Sequence, residues 1–179
     1  MEIVRAGAVP WPDILRLFGP AGASNGCWCQ YWLLGPDYHR RDRKANRDDL
    51  HHQVDADRAG IVALSDGEPV GWARLTHRSQ LGYLTRRFAR YPFPDDDPLS
   101  LACFSVRPQA RGGGVMSALI DGALREADRA KSPLEAYSID PAAPSATKNR
   151  FSGILPVFLL LGFTEIGRLS EDRAVVRSD

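Results

Sequence analysis

Apolar positions change rhythm several times along the chain, and each rhythm predicts an element. Glu2 to Arg5 reads as a short first strand, and Trp11, Ile14, Leu15 and Phe18 have helical spacing behind a proline. The mixed charges of residues 40 to 57 predict a solvated helix with i, i+4 pairs such as Lys44 with Asp48. Two apolar runs, G-I-V-A-L-S and P-V-G-W-A-R-L, flank Asp66-Gly67 and predict a hairpin. Leu99 to Val106 is continuously apolar, as in a strand buried on both faces. From Val115 the apolar residues fall at 115, 116, 119, 120, 123, 124 and 127, a helical stripe. Leu134 to Ile139 predicts a strand, Gly153 to Leu161 a short apolar helix, and Phe163 to Gly167 and Arg173 to Arg177 two last strands. G-A-S-N-G-C-W-C-Q-Y-W has neither period, the segment around Arg86, Arg87 and Arg90 reads as loose and polar, and P-F-P-D-D-D-P reads as a loop. The order predicts an α/β fold over residues 1–179 as a single domain, with a mixed central sheet and helices on both faces.

Composition narrows the function classes without selecting one. The 179 residues are 44% hydrophobic and 25% charged, with a formal net charge of +1. That balance gives no electrostatic reason to expect nucleic acid or a membrane surface as partner. Three cysteines do not make a disulfide framework. The longest apolar run, I-L-P-V-F-L-L-L-G-F, is too short to span a bilayer, and the first residues do not read as a signal peptide. The expectation is a cytoplasmic protein.

The chemistry concentrates in V-R-P-Q-A-R-G-G-G-V-M-S, where a strand runs through bare glycine backbone into a helix. The first amides of a helix have no partner inside it, and the dipole makes that end partly positive. Glycines let an anion reach them, so the unit is a phosphate cradle. Val115 stands where a nucleoside-triphosphate loop has Lys-Ser/Thr, and Ser117 stands at the third glycine of a dinucleotide fingerprint, so neither pattern fits.

Gln109-Ala-Arg-Gly112-Gly-Gly114 fits Q/R-x-x-G-x-G/A between a strand and a helix, and so resembles the acetyl-CoA loop of the GCN5-related N-acetyltransferases. L-L-L-G-F at 159 to 163 and the D-G-E-P-V-G-W-A-R-L hairpin extend the resemblance over roughly residues 60 to 170. The resemblance implies transfer of an acetyl group from acetyl-CoA to an amine. It implies that the strand splays from its neighbour, and that Phe104 and Val106 offer main-chain groups to the pantetheine arm, with Ser105 between them. It further implies that Arg111, Gly112, Gly113, Gly114, Val115 and Met116 offer amides to the pyrophosphate, with Gln109 framing the loop and Ser117 within reach of a phosphate. Phe158, also counted with the cofactor residues, stands where many members have a proton-donating tyrosine, and no glutamate base lies on L-S-L-A-C-F-S-V. Direct transfer by proximity is the expected mechanism. An acyl-CoA sensor, a catalytically weak module and a protein amine acetyltransferase are the alternatives.

On the next strand, Tyr137 is a candidate proton donor and Asp140 a candidate for orienting the amine; a core aromatic and a loop residue are the competing readings. Cys27 and Cys29 with His39, His51 and His52 do not have structural-zinc spacing, so no metal is expected. Trp28, Tyr31 and Trp32 wall an acceptor site for a small-molecule amine, within an N-terminal part of about residues 1–58, or else plug the core against the first helix. Lys148, Asn149 and Arg150 read as solvated loop charges ahead of contacts to the 3′-phosphate. Exposed strand edges suggest a homodimer.

Overall fold

The computed structural model describes all 179 residues. Seven strands form one sheet in the order β1-β2-β3-β4-β5-β7-β6. They are β1 (Glu2–Arg5), β2 (Gly60–Ser65), β3 (Glu68–His77), β4 (Leu99–Val106), β5 (Leu134–Ile139), β6 (Thr164–Ser170) and β7 (Arg173–Ser178). Neighbours are antiparallel except for β4 and β5. Asp66 and Gly67 both have positive φ, 52° and 80°, as a two-residue hairpin turn requires.

The six α-helices are α1 (Trp11–Phe18), α2 (Tyr31–Leu34), α3 (Arg43–Asp55), α4 (Gly82–Arg87), α5 (Val115–Ala130) and α6 (Leu155–Leu160). Two were not expected. α2 has four residues and α4 six, too short for a 3.6-residue period to show. α3 is less solvated than its charges suggest, because Asn46, Leu50 and Val54 bury one face at i, i+4 spacing. Its N-terminus is capped by Asp42, which accepts the Lys44 N–H, and its ion pairs join Arg41 to Asp49 and Arg47 to Asp48 rather than Lys44 to Asp48.

The sheet separates two apolar cores. On one face α5 and α6 pack through Leu119, Ile120, Ala123, Leu155 and Phe158 onto Ile61, Ala73, Leu101 and Ala136. On the other, α1 and α3 pack through Ile14, Phe18, Leu50 and Val54 onto Val62 and Trp72, with Trp28 and Cys29 from the aperiodic segment. A third cluster gathers Trp32, Leu81, Leu84, Ala102, Tyr137 and Val175. No helix of the chain is long and apolar enough to cross a membrane.

Candidate active site

β4 and β5 form a ladder only from Leu99–Leu134 to Leu101–Ala136, although both strands continue beyond it. Past that point they splay, and a segment of the loop before α6 lies between them. The Phe104 N–H donates to the Phe151 carbonyl at 2.6 Å, and the Ile139 N–H donates to the Gly153 carbonyl at 3.0 Å. The Phe104 amide is therefore already engaged and is not the free main-chain donor expected. A cavity of about 820 Å³ opens beside the splay. Phe104, Ser105, Val106, Arg111 and Met116 line it, together with Tyr31, Trp32 and Tyr38 from the N-terminal part.

The glycine loop enters α5 through Gly114, whose φ of 76° places it in the left-handed region; Gly112 has φ 78°. No atom lies within 4 Å of where a Cβ on either glycine would stand, so both positions face open space. The amides of Gly112, Gly114, Val115, Met116 and Ser117 find no acceptor in the chain, whereas Ala118 already bonds the Gly114 carbonyl. Two of the expected amides are not available. The Arg111 N–H bonds the Pro108 carbonyl and the Gly113 N–H bonds the Ala110 carbonyl, each at 3.3 Å. Arg111 instead aims its side chain back along β4, where its Nε donates to the Val106 carbonyl at 3.3 Å. Gln109 lies on the outer side of the same loop, in a shallower depression with Pro108 and Arg111. Convergent free amides at a helix N-terminus, open space above the glycines and a nearby guanidinium fit a pyrophosphate.

Four expected site residues belong elsewhere. Tyr137 is wholly buried, and its hydroxyl lies 2.8 Å from Glu135 Oε1 and 3.0 Å from Ser100 Oγ. It is an internal hydrogen-bonding group that does not line the cavity, and Arg78 completes the buried cluster by pairing with Glu135 at 3.2 Å. Asp140 turns outward to Arg168 at 2.8 Å and caps the Ala142 amide. Phe158 is wholly buried, edge-on to Phe104 and Phe163, so it contacts no cavity. Trp28 stacks on Phe18 in the core beside α1 and is a plug there, while Tyr31 and Trp32 of the same segment do reach the cavity.

Other lining groups come from the far end of the chain and from loops. Lys148 and Arg150, expected as solvated loop charges, line the cavity, and so do Arg87, Asp172 and Arg173. Arg173 stands over Trp32 with its guanidinium carbon 5.0 Å from the ring centroid, and its Nη1 donates to the Tyr137 carbonyl at 2.9 Å and Ser152 Oγ at 3.0 Å. Burial pulls the Arg173 guanidinium below its ordinary value. At Asp172 burial pushes the carboxyl up, but the Ser170 hydroxyl, the Thr147 amide and the Arg173 charge outweigh it and hold it low.

The cysteines form the cavity floor. Cys27, Cys29 and Cys103 all line it and are free thiols. Trp72 Nε1 donates to Cys29 Sγ at 3.3 Å, and the buried Arg74 donates to the Cys29 carbonyl and to Gln53 rather than to a carboxylate. Burial pushes the Cys29 thiol up, yet the Cys103 thiol, the Arg74 charge and the Trp72 N–H together hold it well below the usual thiol range. No group of three or more His, Cys, Asp or Glu is arranged to hold a metal ion.

The model of the acetyltransferase (GNAT) family matches residues 27–142, and the chain belongs to that family. Its reaction is accordingly acetyl-CoA-dependent N-acetylation, with acetyl-CoA as cosubstrate and an amine as acceptor. No curated protein matches the sequence significantly. Among solved structures, a histone acetyltransferase HPA2 and related acetyltransferase from Corynebacterium glutamicum is 20% identical with a TM-score of 0.58, over 98% of this chain and 93% of that one. A ribosomal-protein-alanine N-acetyltransferase from Brucella melitensis is 18% identical with a TM-score of 0.53, over 99% and 97%. The PaiA N-acetyltransferase from Thermoplasma acidophilum, in complex with coenzyme A, is 8% identical with a TM-score of 0.55, over 99% and 98%. At these identities the likeness is one of fold.

Proposed function

We propose that this single domain transfers the acetyl group directly from acetyl-CoA to the primary amine of a small molecule held in the cavity. The observation that carries the reading is the set of unpartnered amides at Gly112, Gly114, Val115, Met116 and Ser117, beside Arg111. These groups hold the pyrophosphate, Lys148 and Arg150 hold further phosphate charge, and Ser105 and Val106 flank the arm. Tyr31, Trp32 and Tyr38 supply the acceptor wall, which is the role of the N-terminal part. Acetyl-CoA supplies an acyl thioester. In the transfer a C–N bond forms, the C–S bond breaks, and the proton of the attacking amine ends on the released thiol. The chain's contribution is placement of the two partners and exclusion of water, since Phe158 has no proton to give and the Tyr137 hydroxyl is buried on Glu135 and Ser100.

A second reading, an acyl-CoA-binding module without turnover, is favoured by one observation: the Phe104 amide is occupied by the Phe151 carbonyl. Calorimetric titration with acetyl-CoA, CoA and ATP tests the cradle, and thiol release with an amine panel in the same sample separates the two readings. Binding of both CoA species without ATP, followed by thiol release, is the expected result. Binding without thiol release for any amine supports the module, and no CoA binding overturns both.

A further inference from the structure

The cavity carries an excess of cations that the chain itself leaves unpaired. Arg87, Arg111, Lys148, Arg150 and Arg173 line it, none of them appears in an ion pair within the chain, and Asp172 is the one lining carboxylate. Asp172 is occupied by the Ser170 hydroxyl at 2.8 Å and the Thr147 amide at 3.2 Å. Arg111, Lys148 and Arg150 are the cations that the proposed function assigns to the phosphates. Arg87 and Arg173 are left over, and both lie at the aromatic end, where their charges bear on the Tyr31 hydroxyl and oppose its burial.

Arg173 is the better defined of the two. Its Nη1 is fixed by a carbonyl and a hydroxyl, and its plane is held near Trp32. Nε and Nη2 have no acceptor in the chain. A partly buried guanidinium without a carboxylate is costly unless something completes it, and a rigid guanidinium edge is the geometry that receives a carboxylate on two parallel N–H groups. Tyr31, Trp32, Phe88 and Phe151 surround this edge with ring surface.

We propose that Arg173, assisted by Arg87, forms a carboxylate subsite, and that the acceptor is therefore an amino acid: an amine that also carries a carboxylate, on an apolar or aromatic body. The inference rests on the acetyltransferase reading of the cavity and names its substrate class. It disfavours polycationic amines, which would meet the like charges of Arg173 and Arg87 at the aromatic end of the cavity. A free amino acid and a peptide C-terminus share the carboxylate, but only the free amino acid places an amine a few bonds from it.

The test uses three ligands that differ by one group each: phenylalanine, phenethylamine without the carboxylate, and 3-phenylpropionate without the amine. Calorimetry of 3-phenylpropionate on the CoA-loaded protein reads the subsite independently of turnover, and calorimetry of acetyl-CoA reads the cradle separately. Expected are measurable 3-phenylpropionate binding, a KM for phenylalanine roughly tenfold or more below that for phenethylamine, and poor use of spermidine. A peptide with C-terminal phenylalanine should not be acetylated in preference to the free amino acid. Arg173→Lys keeps the charge but not the paired geometry. It should raise the KM for phenylalanine and weaken 3-phenylpropionate by roughly tenfold while leaving acetyl-CoA affinity unchanged. Arg87→Gln, which removes only the guanidinium lying over the Phe88 ring and no ion pair, should weaken both in the same direction. Protein that binds acetyl-CoA but not 3-phenylpropionate, or that uses phenethylamine as well as phenylalanine, overturns the subsite. Failure of acetyl-CoA to bind instead overturns the acetyltransferase reading of the cavity.

Discussion

Replacing Tyr137 by phenylalanine separates a catalytic from a structural hydroxyl. The substitution removes one oxygen and leaves the ring among Trp32, Leu81, Ala102 and Val175. Two hydrogen bonds go with it, to Glu135 Oε1 at 2.8 Å and to Ser100 Oγ at 3.0 Å. Glu135 is not orphaned, because Arg78 Nη1 still reaches its two oxygens at 3.3 and 3.2 Å. The loss is therefore that of a hydrogen bond to a charged group rather than of a stranded carboxylate, about 2 kcal/mol. For a chain of this length that corresponds to a fall in Tm of roughly 4–8 °C.

Protonation sharpens the expectation. Burial raises the Glu135 carboxyl above its ordinary value, against the opposing pull of the Tyr137 hydroxyl and Arg78. A raised carboxyl stabilises the fold below its unfolded value and loses that contribution as pH rises through its folded value. The hydroxyl favours the ionised form, so the cost of Tyr137→Phe should grow as Glu135 ionises and shrink in acid. Thermal unfolding across a pH series reads the stability, and thiol release at a temperature well below Tm reads the turnover. Ser100→Ala, which breaks the second bond and a longer one to the Pro98 carbonyl but none to Glu135, should cost less and should not add fully to Tyr137→Phe, since the two hydroxyls bond each other. A drop in kcat on the order of a hundredfold with unchanged Tm, the size expected for loss of a general acid, would refute the structural assignment.

Two further outcomes follow from the cavity's two ends. Gly112→Asp and Gly114→Asp should abolish acetyl-CoA binding by calorimetry while the fold survives, because the open space above each glycine leaves only a left-handed backbone cost of about 1–2 kcal/mol. Unchanged affinity in a folded variant would refute the cradle. Cys29 is buried, so its lowered thiol should be read by thermal unfolding of Cys29→Ser and the parent across a pH series rather than by alkylation. A depressed thiol stabilises the fold above its unfolded value and loses that contribution as pH falls through its folded one, so Cys29→Ser should flatten the pH–stability profile there. A pH–stability profile that Cys29→Ser leaves unchanged would refute the thiolate.

Long periodic elements were legible in the sequence and local exceptions were not. The apolar stripe of α5 and the continuous run of β4 each repeat a pattern long enough to count, and both elements lie where their periods place them. The glycine string before α5 was also readable, because an anion cradle depends on backbone geometry that only a few residue types permit. What could not be read is what tertiary placement decides. Arg111 and Gly113 spend their amides on short local turns, and the Phe104 amide goes to a carbonyl 47 residues later. In C-W-C-Q-Y-W the first tryptophan turns into the core and the second to the cavity wall, with Trp28 and Cys29 both at positive φ, a backbone path without a sequence period. Arg173 looked like an ordinary polar position at the start of a terminal strand; β7 pairing beside β5 is what carries it to the cavity.

The charge lining of the cavity also bears on how transfer proceeds without the usual acid and base. Phe158 is sealed between Phe104 and Phe163, and the Tyr137 hydroxyl is committed to Glu135 and Ser100, so neither supplies a proton to a leaving thiolate. An attacking amine must nonetheless be neutral. With Arg111, Lys148 and Arg150 committed to the phosphates, Arg87 and Arg173 are the cations that disfavour an ammonium at the aromatic end, and each unit by which they lower its pKa gives about tenfold more neutral amine at neutral pH. The same cations favour a developing thiolate, so one electrostatic arrangement serves both ends of the reaction. A polyamine gains nothing from it, since an ammonium at the aromatic end meets Arg87 and Arg173. An amino acid has its carboxylate held by Arg173 and its amine left within the field of Arg87. The residues that select the acceptor on this reading are thus also the ones that prepare its nitrogen to attack.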